Sequence, residues 1–237
     1  MNKLKNYYYY YLTRLWSIYW KRCASKSRIN GLILMFHNVS DTPIDIDESC
    51  QHTVAEFEAP LIRLAEEEYR FVDISEALRI IDGKSTDKFA AVTFDDCFDS
   101  VYTNAYPVLK RLKIPFTCFI TTSFIGKPGY LNKYQIKELD NDPLCTIAAH
   151  TVSHPMLRSV SNSEEEIRKS KEILEKLLGH PVKYFAYPFG QPSSVSSKTI
   201  RLAREAGFDA AFGTIPAPVS DISAKNRFYL PRIVLKK

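Results

Sequence analysis

Two short groups of acidic and histidine residues have types and spacings suited to metal-assisted hydrolysis. Asp95 and Asp96 are adjacent, and His150 and His154 are four residues apart. One carboxylate and two imidazoles can hold a catalytic metal ion and leave coordination positions open for water and substrate. The second carboxylate is then available as a base. These residues predict a metal-dependent hydrolase.

Each group directly follows a predicted strand. The pair Asp95 and Asp96 comes after the apolar run 88–94, and His150 follows another apolar run. Successive side chains of a regular strand point to opposite faces, so both carboxylates can reach one pocket only if the chain turns at the end of the strand. The two histidines would lie on one face if residues 151–153 formed a helical turn.

Apolar runs alternate with amphipathic segments along the chain, which predicts a parallel sheet covered by helices. Because polar residues stand at the strand ends, we predict an α/β fold of the distorted (β/α) barrel type, an incomplete TIM-like barrel of seven parallel strands. A doubly wound open sheet would also gather the strand ends, but no glycine-rich nucleotide-binding loop follows a strand. The helix at 163–178 has the clearest signals, with Ser163 as cap, Glu166 completing a capping box and Gly179 closing it. The other predicted segments are strands 31–36, 88–94, 115–121, 144–149, 182–187, 208–212 and 233–235, and helices 53–68, 75–81, 100–112 and 196–206.

Basic charge is concentrated at the N-terminus of the chain. The 237 residues include 32 Lys plus Arg and 27 Asp plus Glu, a net charge of +5. Seven of the basic residues lie within residues 1–28, which contain no acidic residue, so the remainder carries a small net negative charge. A body without net basic charge gives no reason to expect nucleic-acid binding. We predict a basic, aromatic N-terminal arm over 1–28 and one catalytic domain over 29–237.

The segment Tyr7 to Trp20 of the arm has the spacing of an amphipathic helix. Its aromatic and basic residues are typical of an interfacial helix on an anionic membrane surface. A helix packed on the body or on a second subunit is an alternative, as is a secretion signal, although no clean apolar core or cleavage site supports a signal. We expect a peripheral membrane or cytoplasmic location rather than secretion. The predicted apolar face consists of Tyr8, Tyr11, Leu12, Leu15, Trp16 and Tyr19.

Three segments, in order, resemble the motifs of the polysaccharide deacetylases, also called carbohydrate esterase family 4 or the nodulation-type deacetylase domain. Residues 93–98 (TFDDCF) resemble the motif T-F-D-D-G-Y, residues 150–155 (HTVSHP) match H-S/T-x-x-H-P, and residues 185–190 (FAYPFG) resemble R-x-P-F/Y-G. The similarity extends over roughly residues 30 to 237. It implies an enzyme that removes N-acetyl groups from an amino-sugar polymer or a lipid-linked glycan. An O-acetyl glycan esterase of the same fold is an alternative.

Carried over position by position, the resemblance implies a set of site residues. Asp96, His150 and His154 would bind the metal, usually zinc in such enzymes, although Co²⁺ or Ni²⁺ could replace it. Asp95 would be the general base.

The third motif implies the substrate contacts. The backbone N–H of Phe189 would stabilise the oxyanion that forms on the acetyl carbonyl. Tyr187, Pro188 and Phe189 would line the substrate site.

The general acid has to come from elsewhere, because the C-terminus lacks the histidine of the family's late L-x-H motif. Residues 34–39 (LMFHNV) resemble the Y-H-x-V start of a permuted branch that includes deacetylases of poly-N-acetylglucosamine exopolysaccharides, which makes His37 the candidate acid. Cys97 replaces the glycine of the first motif, and Ala186 replaces the arginine that orients the base in many members. Arg232 could supply that charge from the last strand. If these changes abolished catalysis, the chain would be a glycan-binding protein.

Overall fold

A parallel sheet of seven strands forms the centre of the structure, a computed structural model that describes residues 3–84 and 86–235. Side chains are described from residue 11 onward, except that of Ser49. A separate parallel pair, β2 with β3, lies beside this sheet. The strands are β1 (Asn30–Phe36), β2 (Asn38–Val39), β3 (Gln51–His52), β4 (Arg70–Phe71), β5 (Lys88–Phe94), β6 (Phe116–Ile120), β7 (Cys145–Ala149), β8 (Tyr184–Ala186) and β9 (Ala210–Phe212).

The main sheet curls toward closure. Its order is β1-β5-β6-β7-β8-β9, and the short strand β4 pairs with the first half of β5. The C-terminal segment joins the two outer strands, since Leu230 bridges Phe212 of β9 and Ile233 bridges Leu34 of β1. The predicted α/β fold of a distorted, incomplete barrel is therefore confirmed. The predicted strand 233–235 is reduced to this single bridge, and β4, which was not predicted, is the seventh strand.

Eight α-helices surround the sheet within the described residues. The predicted helix 100–112 divides into a π-helical turn at Val101–Ala105 and a following α-helix. A helix at Lys133–Asp140 was missed, because only Ile136 and Leu139 of its side chains are buried. The helices are α1 (Lys3–Ala24), α2 (Val54–Glu66), α3 (Ile74–Gly83), α4 (Tyr106–Leu112), α5 (Lys133–Asp140), α6 (Ser163–Leu178), α7 (Ser197–Glu205) and α8 (Asp221–Lys225).

Strand β5 shows how the sequence positions the site. Phe89 and Ala91 belong to the buried cluster inside the barrel, whereas Val92 and Phe94 belong to the cluster under the helices. Full burial of a Val or Phe side chain stabilises the fold by about 1.5–3 kcal/mol. Because side chains alternate along a strand, Asp95 at the end of β5 points into the barrel.

Helix α6 begins differently from the sequence prediction. Its N-cap is Asn162 rather than Ser163, and the Asn162 side chain makes no capping hydrogen bond. Glu166 makes no capping box, because its carboxylate binds backbone amides of the loop at 152–153 instead. Gly179 closes the helix in the left-handed conformation, as predicted.

Helix α1 packs on the body. Trp20 is fully buried in the main core cluster, and the Ser17 hydroxyl donates to the carbonyl of Pro216 at 3.3 Å. The predicted apolar face is mostly not the packed one: Tyr11 and Leu15 are about 60% exposed, Tyr19 is 49% exposed, and the side chain of Tyr8 lies outside the described residues. None of the described helices is long and apolar enough to cross a membrane.

Candidate metal centre and catalytic site

Asp95 and Asp96 reach the same pocket because the chain turns sharply after β5. The Asp95 N–H still continues the sheet and donates to the Phe36 carbonyl at 2.9 Å. Asp96 and Cys97 then both adopt left-handed backbone conformations, with φ of 62° and 56°. This is the conformation in which glycine is favoured, and it explains why the motif has glycine at the position of Cys97.

Asp96, His150 and His154 converge at the carboxyl end of the barrel. One potential ligand atom from each lies within 4.8 Å of the others. The Asp96 Oδ1 atom is 3.7 Å from His150 Nε2 and 3.3 Å from His154 Nε2. Donors bound tetrahedrally to one zinc ion at about 2.0–2.2 Å stand about 3.4 Å apart, so the spacing fits a metal of this size.

A backbone contact sets the tautomer of His150. Its Nδ1 lies 2.8 Å from the Ala186 carbonyl on β8. A carbonyl oxygen only accepts, so Nδ1 carries the proton and Nε2, on the side of Asp96, keeps the lone pair that could bind a metal ion. Burial lowers the pKa of His150 to about 4, although the charge of Asp95 opposes the shift. The imidazole is therefore neutral near pH 7, as a metal ligand must be.

The loop between the two histidines is not the helical turn that their spacing suggested. Thr151 and His154 have positive φ angles of 67° and 59°, and residues 152 and 153 between them form a bend. The hydroxyl of Thr151 accepts the His154 N–H at 3.0 Å. The tight loop brings His154 beside Asp96 without any helical periodicity.

Arg232 forms a two-point ion pair with Asp95. Its Nη1 and Nη2 atoms each lie 2.6 Å from a carboxylate oxygen, and its Nε donates to the Gly213 carbonyl at 2.9 Å. Arg232 is only 1% exposed. Burial alone would raise the pKa of Asp95, but Arg232, together with His150, outweighs it and holds the pKa well below its usual range. Asp95 is thus ionised and held in orientation by Arg232, which makes the contact expected of it because Ala186 stands in place of an arginine.

His37 shares a cavity of about 490 Å³ with the carboxylates and the two metal-site histidines. It follows β1, and its Nδ1 atom is buried without a hydrogen-bond partner among the described residues. Burial lowers the pKa of His37, and the negative charges of Asp95 and Asp96 offset this in part. The predicted acid therefore faces the same cavity as the predicted base.

The third motif contributes one residue to the cavity rather than three. Tyr187 is fully buried, and its hydroxyl donates to the Phe228 carbonyl at 2.9 Å. Pro188 is also buried, and neither of these two side chains lines the cavity, so their contact with substrate stays a prediction. Phe189 is 52% exposed and lines the cavity. Its backbone has a φ of 62°, and its N–H donates to no acceptor among the described residues.

The glycine that ends this motif is required by packing. Gly190 has a φ of 56°, and a Cβ placed there would approach Thr214 Cγ2 to 2.5 Å and the Thr214 backbone nitrogen to 2.7 Å. The close approach of the two backbones fixes Phe189 at the edge of the cavity.

Two residues that support the site were not predicted from the sequence. The Thr93 hydroxyl donates to the Leu34 carbonyl at 2.8 Å and accepts from Arg232 at 3.2 Å. Its position two residues before Asp95 on an alternating strand was the available signal. Glu166 lies on the buried face of α6 with Ile167 and reaches the histidine loop. A carboxylate on a buried helix face was the signal there.

Similarity to known proteins identifies the family of the chain. A family model described as polysaccharide deacetylase matches residues 82–211, more than half of the sequence. The chain belongs to the polysaccharide deacetylase family. Its three motifs and the cluster of Asp96, His150 and His154 lie within the matched region.

Relatives and solved structures agree with this family membership. The poly-beta-1,6-N-acetyl-D-glucosamine N-deacetylase of Staphylococcus aureus (strain MSSA476) is 28% identical over 197 residues, which covers 76% of this chain and 66% of the relative. The structure of IcaB from Ammonifex degensii matches this polysaccharide deacetylase chain with a TM-score of 0.75 and 27% identity, covering 88% of this chain and 92% of the other. A polysaccharide deacetylase from Bacillus cereus matches with a TM-score of 0.75 and 27% identity, covering 86% and 64% of the two chains. The chain thus spans just under two thirds of several of the proteins it resembles.

Proposed function

We propose that this protein is a metal-dependent N-deacetylase that hydrolyses acetamido groups of an amino-sugar polymer or a lipid-linked glycan. One observation carries the proposal: a cluster of Asp96, His150 and His154 lies beside a buried carboxylate that Arg232 holds ionised. Similarity to the staphylococcal enzyme, which is named for poly-beta-1,6-N-acetyl-D-glucosamine, supports an N-acetylglucosamine polymer as the substrate.

Zinc is the metal that we propose for the cluster. Two neutral imidazoles and one carboxylate are a usual ligand set for catalytic zinc, and Co²⁺ or Ni²⁺ would accept the same donors. A bound divalent ion supplies Lewis-acid activation of water and of the acetyl carbonyl. The Ala186 carbonyl fixes His150 for this purpose, which is the usual outer support of a ligating histidine.

Three groups of the chain then move or stabilise charge. Asp95 takes the proton of the attacking water. The free N–H of Phe189 donates to the oxygen that becomes negative on the acetyl carbon, and one such donor is worth about 3–4 kcal/mol in other enzymes. His37, in its protonated imidazolium form, which the charges of Asp95 and Asp96 favour, gives a proton to the leaving amine, because the amine could not depart as an amide anion.

The test of this assignment uses full-length Asp95→Asn and His37→Ala variants. We expect each to bind zinc as the wild type does and to lose about 10²–10⁴-fold in acetate release from a β-1,6-linked N-acetylglucosamine oligomer, the range typical of positioned acids and bases. Zinc content by elemental analysis and acetate by a coupled assay would be measured on the same samples. Undiminished acetate release by Asp95→Asn would refute the role of base. Stoichiometric zinc without acetate release from any acetylated glycan would favour the glycan-binding alternative, and release only from O-acetylated xylan would favour the esterase alternative.

We also propose that helix α1 brings the enzyme to an anionic membrane surface as a peripheral protein. With about 100° between successive helical residues, Tyr11, Leu15 and Ile18 fall on the face opposite Trp20. Leu15 is 61% exposed and Ile18 is 59% exposed. An exposed apolar ridge on a helix without acidic residues is the pattern of an interfacial helix.

Basic residues lie at and beyond the C-terminal end of this helix. Lys21 and Arg22 belong to its last turn. A cavity of about 1010 Å³ beside Tyr19 is lined by Lys26, Arg28, Lys84 and Lys225, with Asp221 as its acidic residue. Each basic residue near an anionic bilayer contributes about 1 kcal/mol, so charge and apolar contact act together.

Vesicle binding of the full chain tests the membrane proposal. Because Trp20 is part of the core, removing the whole helix would disturb folding, and the double variant Leu15→Ser/Ile18→Ser is the sharper change. We expect it to weaken binding to phosphatidylglycerol vesicles by about tenfold or more, since each change removes the burial of one aliphatic side chain. A matched control is Ile62→Ser/Ile173→Ser, which alters two residues of 39% and 42% exposure on α2 and α6. Equal binding by both double variants, or no preference for phosphatidylglycerol over phosphatidylcholine, would rule the proposal out.

A further inference from the structure

The loop that carries His154 has a backbone that needs external support. Thr151 and His154 both adopt positive φ angles, which are uncommon for residues other than glycine. Thr151 is β-branched, so its conformation is a genuine outlier, and such strain persists only where the surroundings impose it. The loop would otherwise relax and move His154 away from Asp96.

Glu166 on α6 binds the middle of this loop. Its Oε2 atom accepts the N–H groups of Val152 at 3.0 Å and of Ser153 at 2.8 Å. Its Oε1 atom accepts the Ser153 hydroxyl at 2.8 Å. Glu166 is only 7% exposed, so these three donors replace the water that a carboxylate requires. Two successive N–H groups directed at one anion form a compact backbone nest.

Helix α6 is itself fixed to the strand that holds the other histidine. Lys171 Nζ donates to the Val182 carbonyl at 2.7 Å, and the Val182 N–H donates to Glu175 Oε1 at 3.0 Å. Val182 leads into β8, whose Ala186 carbonyl orients His150. Both histidines are therefore held through α6 and β8.

We infer that Glu166 is a positioning residue for the metal site. Its carboxylate holds the 151–154 loop so that His154 lies at ligand distance from His150 and Asp96. The inference rests on the proposed metal-dependent function. It also explains why the capping box predicted from Ser163 and Glu166 does not form: the helix begins one residue earlier, at Asn162, and Asn162 makes no side-chain capping hydrogen bond. The carboxylate supports the loop instead of the helix end.

Zinc affinity of the full chain, measured without substrate by competition with a chromophoric chelator, tests the inference. Glu166→Gln replaces one acceptor oxygen by a donor amide, so the loop loses part of its support. We expect its zinc dissociation constant to rise about 10–100-fold, the effect typical of losing an outer partner of a ligand. Glu165→Gln is the matched control, because Glu165 is one residue away, exposed and paired with Lys169, and it should bind zinc as the wild type does.

Two further variants separate positioning from general stability. Ser153→Ala removes only the 2.8 Å hydrogen bond from the Ser153 hydroxyl to Glu166. It should weaken zinc binding by a few fold without unfolding the protein. Glu166→Asp keeps the charge and should recover part of the affinity. Unchanged zinc affinity in both Glu166→Gln and Ser153→Ala, whatever happens to the melting temperature, would overturn the inference. A wild type that binds no zinc would overturn the proposed function together with it, so the two failures are distinguishable.

Discussion

Replacing Arg232 by methionine should lower the free energy of unfolding by about 3–5 kcal/mol and reduce turnover sharply. The loss follows because Asp95, with a side chain 3% exposed, would keep its buried charge without a partner. Turnover falls because the base loses its two-point orientation. Urea unfolding and acetate release on the same preparation would measure both effects.

The matched control is Arg227→Met. Arg227 pairs with Asp82 at the surface, where the two side chains are 33% and 48% exposed. Exposed pairs contribute about 1 kcal/mol or less, so this variant should change stability little and turnover not at all. Equal loss of stability in the two variants would contradict the larger contribution that we expect from the buried pair of Arg232 and Asp95.

The difference in the free energy of unfolding between the wild type and Arg232→Met should become smaller as the pH falls. In the wild type, burial alone would raise the pKa of Asp95, but Arg232 outweighs it and holds the folded-state value below the unfolded value of about 3.9. The contribution of the pair is therefore fully present above about pH 4 and is lost only as the pH falls through the folded-state pKa. In the variant, burial raises the pKa of Asp95, so protonation relieves the uncompensated charge. Unfolding at about pH 7 and about pH 5 should show the smaller difference at the lower pH.

Replacing His154 by alanine should remove the metal while leaving the fold intact. The His154 side chain is 22% exposed, so the free energy of unfolding of the metal-free protein should change by only about 1 kcal/mol. Zinc affinity should fall by more than about 100-fold, which is more than the loss of a residue that only hydrogen-bonds to a ligand would cause. Acetate release should fall to background.

His180→Ala is the control for this change. His180 is half exposed, pairs with Asp140 at 2.9 Å and lines a separate cavity with Cys145 at the start of β7. The variant should bind one zinc per chain and release acetate as the wild type does. Normal zinc content in His154→Ala would contradict its assignment as a ligand.

The strand ends were the part of the site that the sequence predicted well. Asp95, His37 and His150 each follow a strand, and parallel strands bring their carboxyl ends to one edge. Local patterns suffice for this because the alternation of side chains along a strand and the position of the turn after it depend on neighbouring residues. The pairing of Arg232 with Asp95, 137 residues apart, was suggested only by resemblance to the permuted branch.

Errors arose where tertiary contacts override local patterns. Glu166 has the spacing of a capping box, but the unsatisfied amides of the 152–153 loop bind its carboxylate instead. Tyr187 stands inside a family motif, yet its ring packs in the outer core and its hydroxyl donates to the distant Phe228 carbonyl rather than lining the cavity. The histidine loop has helical spacing without a helix, because two residues with positive φ achieve the same convergence.

Helix α1 illustrates a different difficulty. Its aromatic content is high on every side, so the sequence could not tell which face packs on the body. Trp20 decides this in the structure because it alone among the arm's described residues enters the main core cluster. Leu15 and Ile18, on the opposite face of the helix, stay exposed.

The most direct test of the account measures acetate and free amine together from a β-1,6-linked N-acetylglucosamine oligomer. The wild type would be assayed as metal-stripped protein, after zinc is restored, and beside His154→Ala. We expect acetate and amine to appear in equal amounts, only with zinc, and not with His154→Ala. Release of acetate that continues without metal, or acetate without amine, would contradict metal-dependent N-deacetylation.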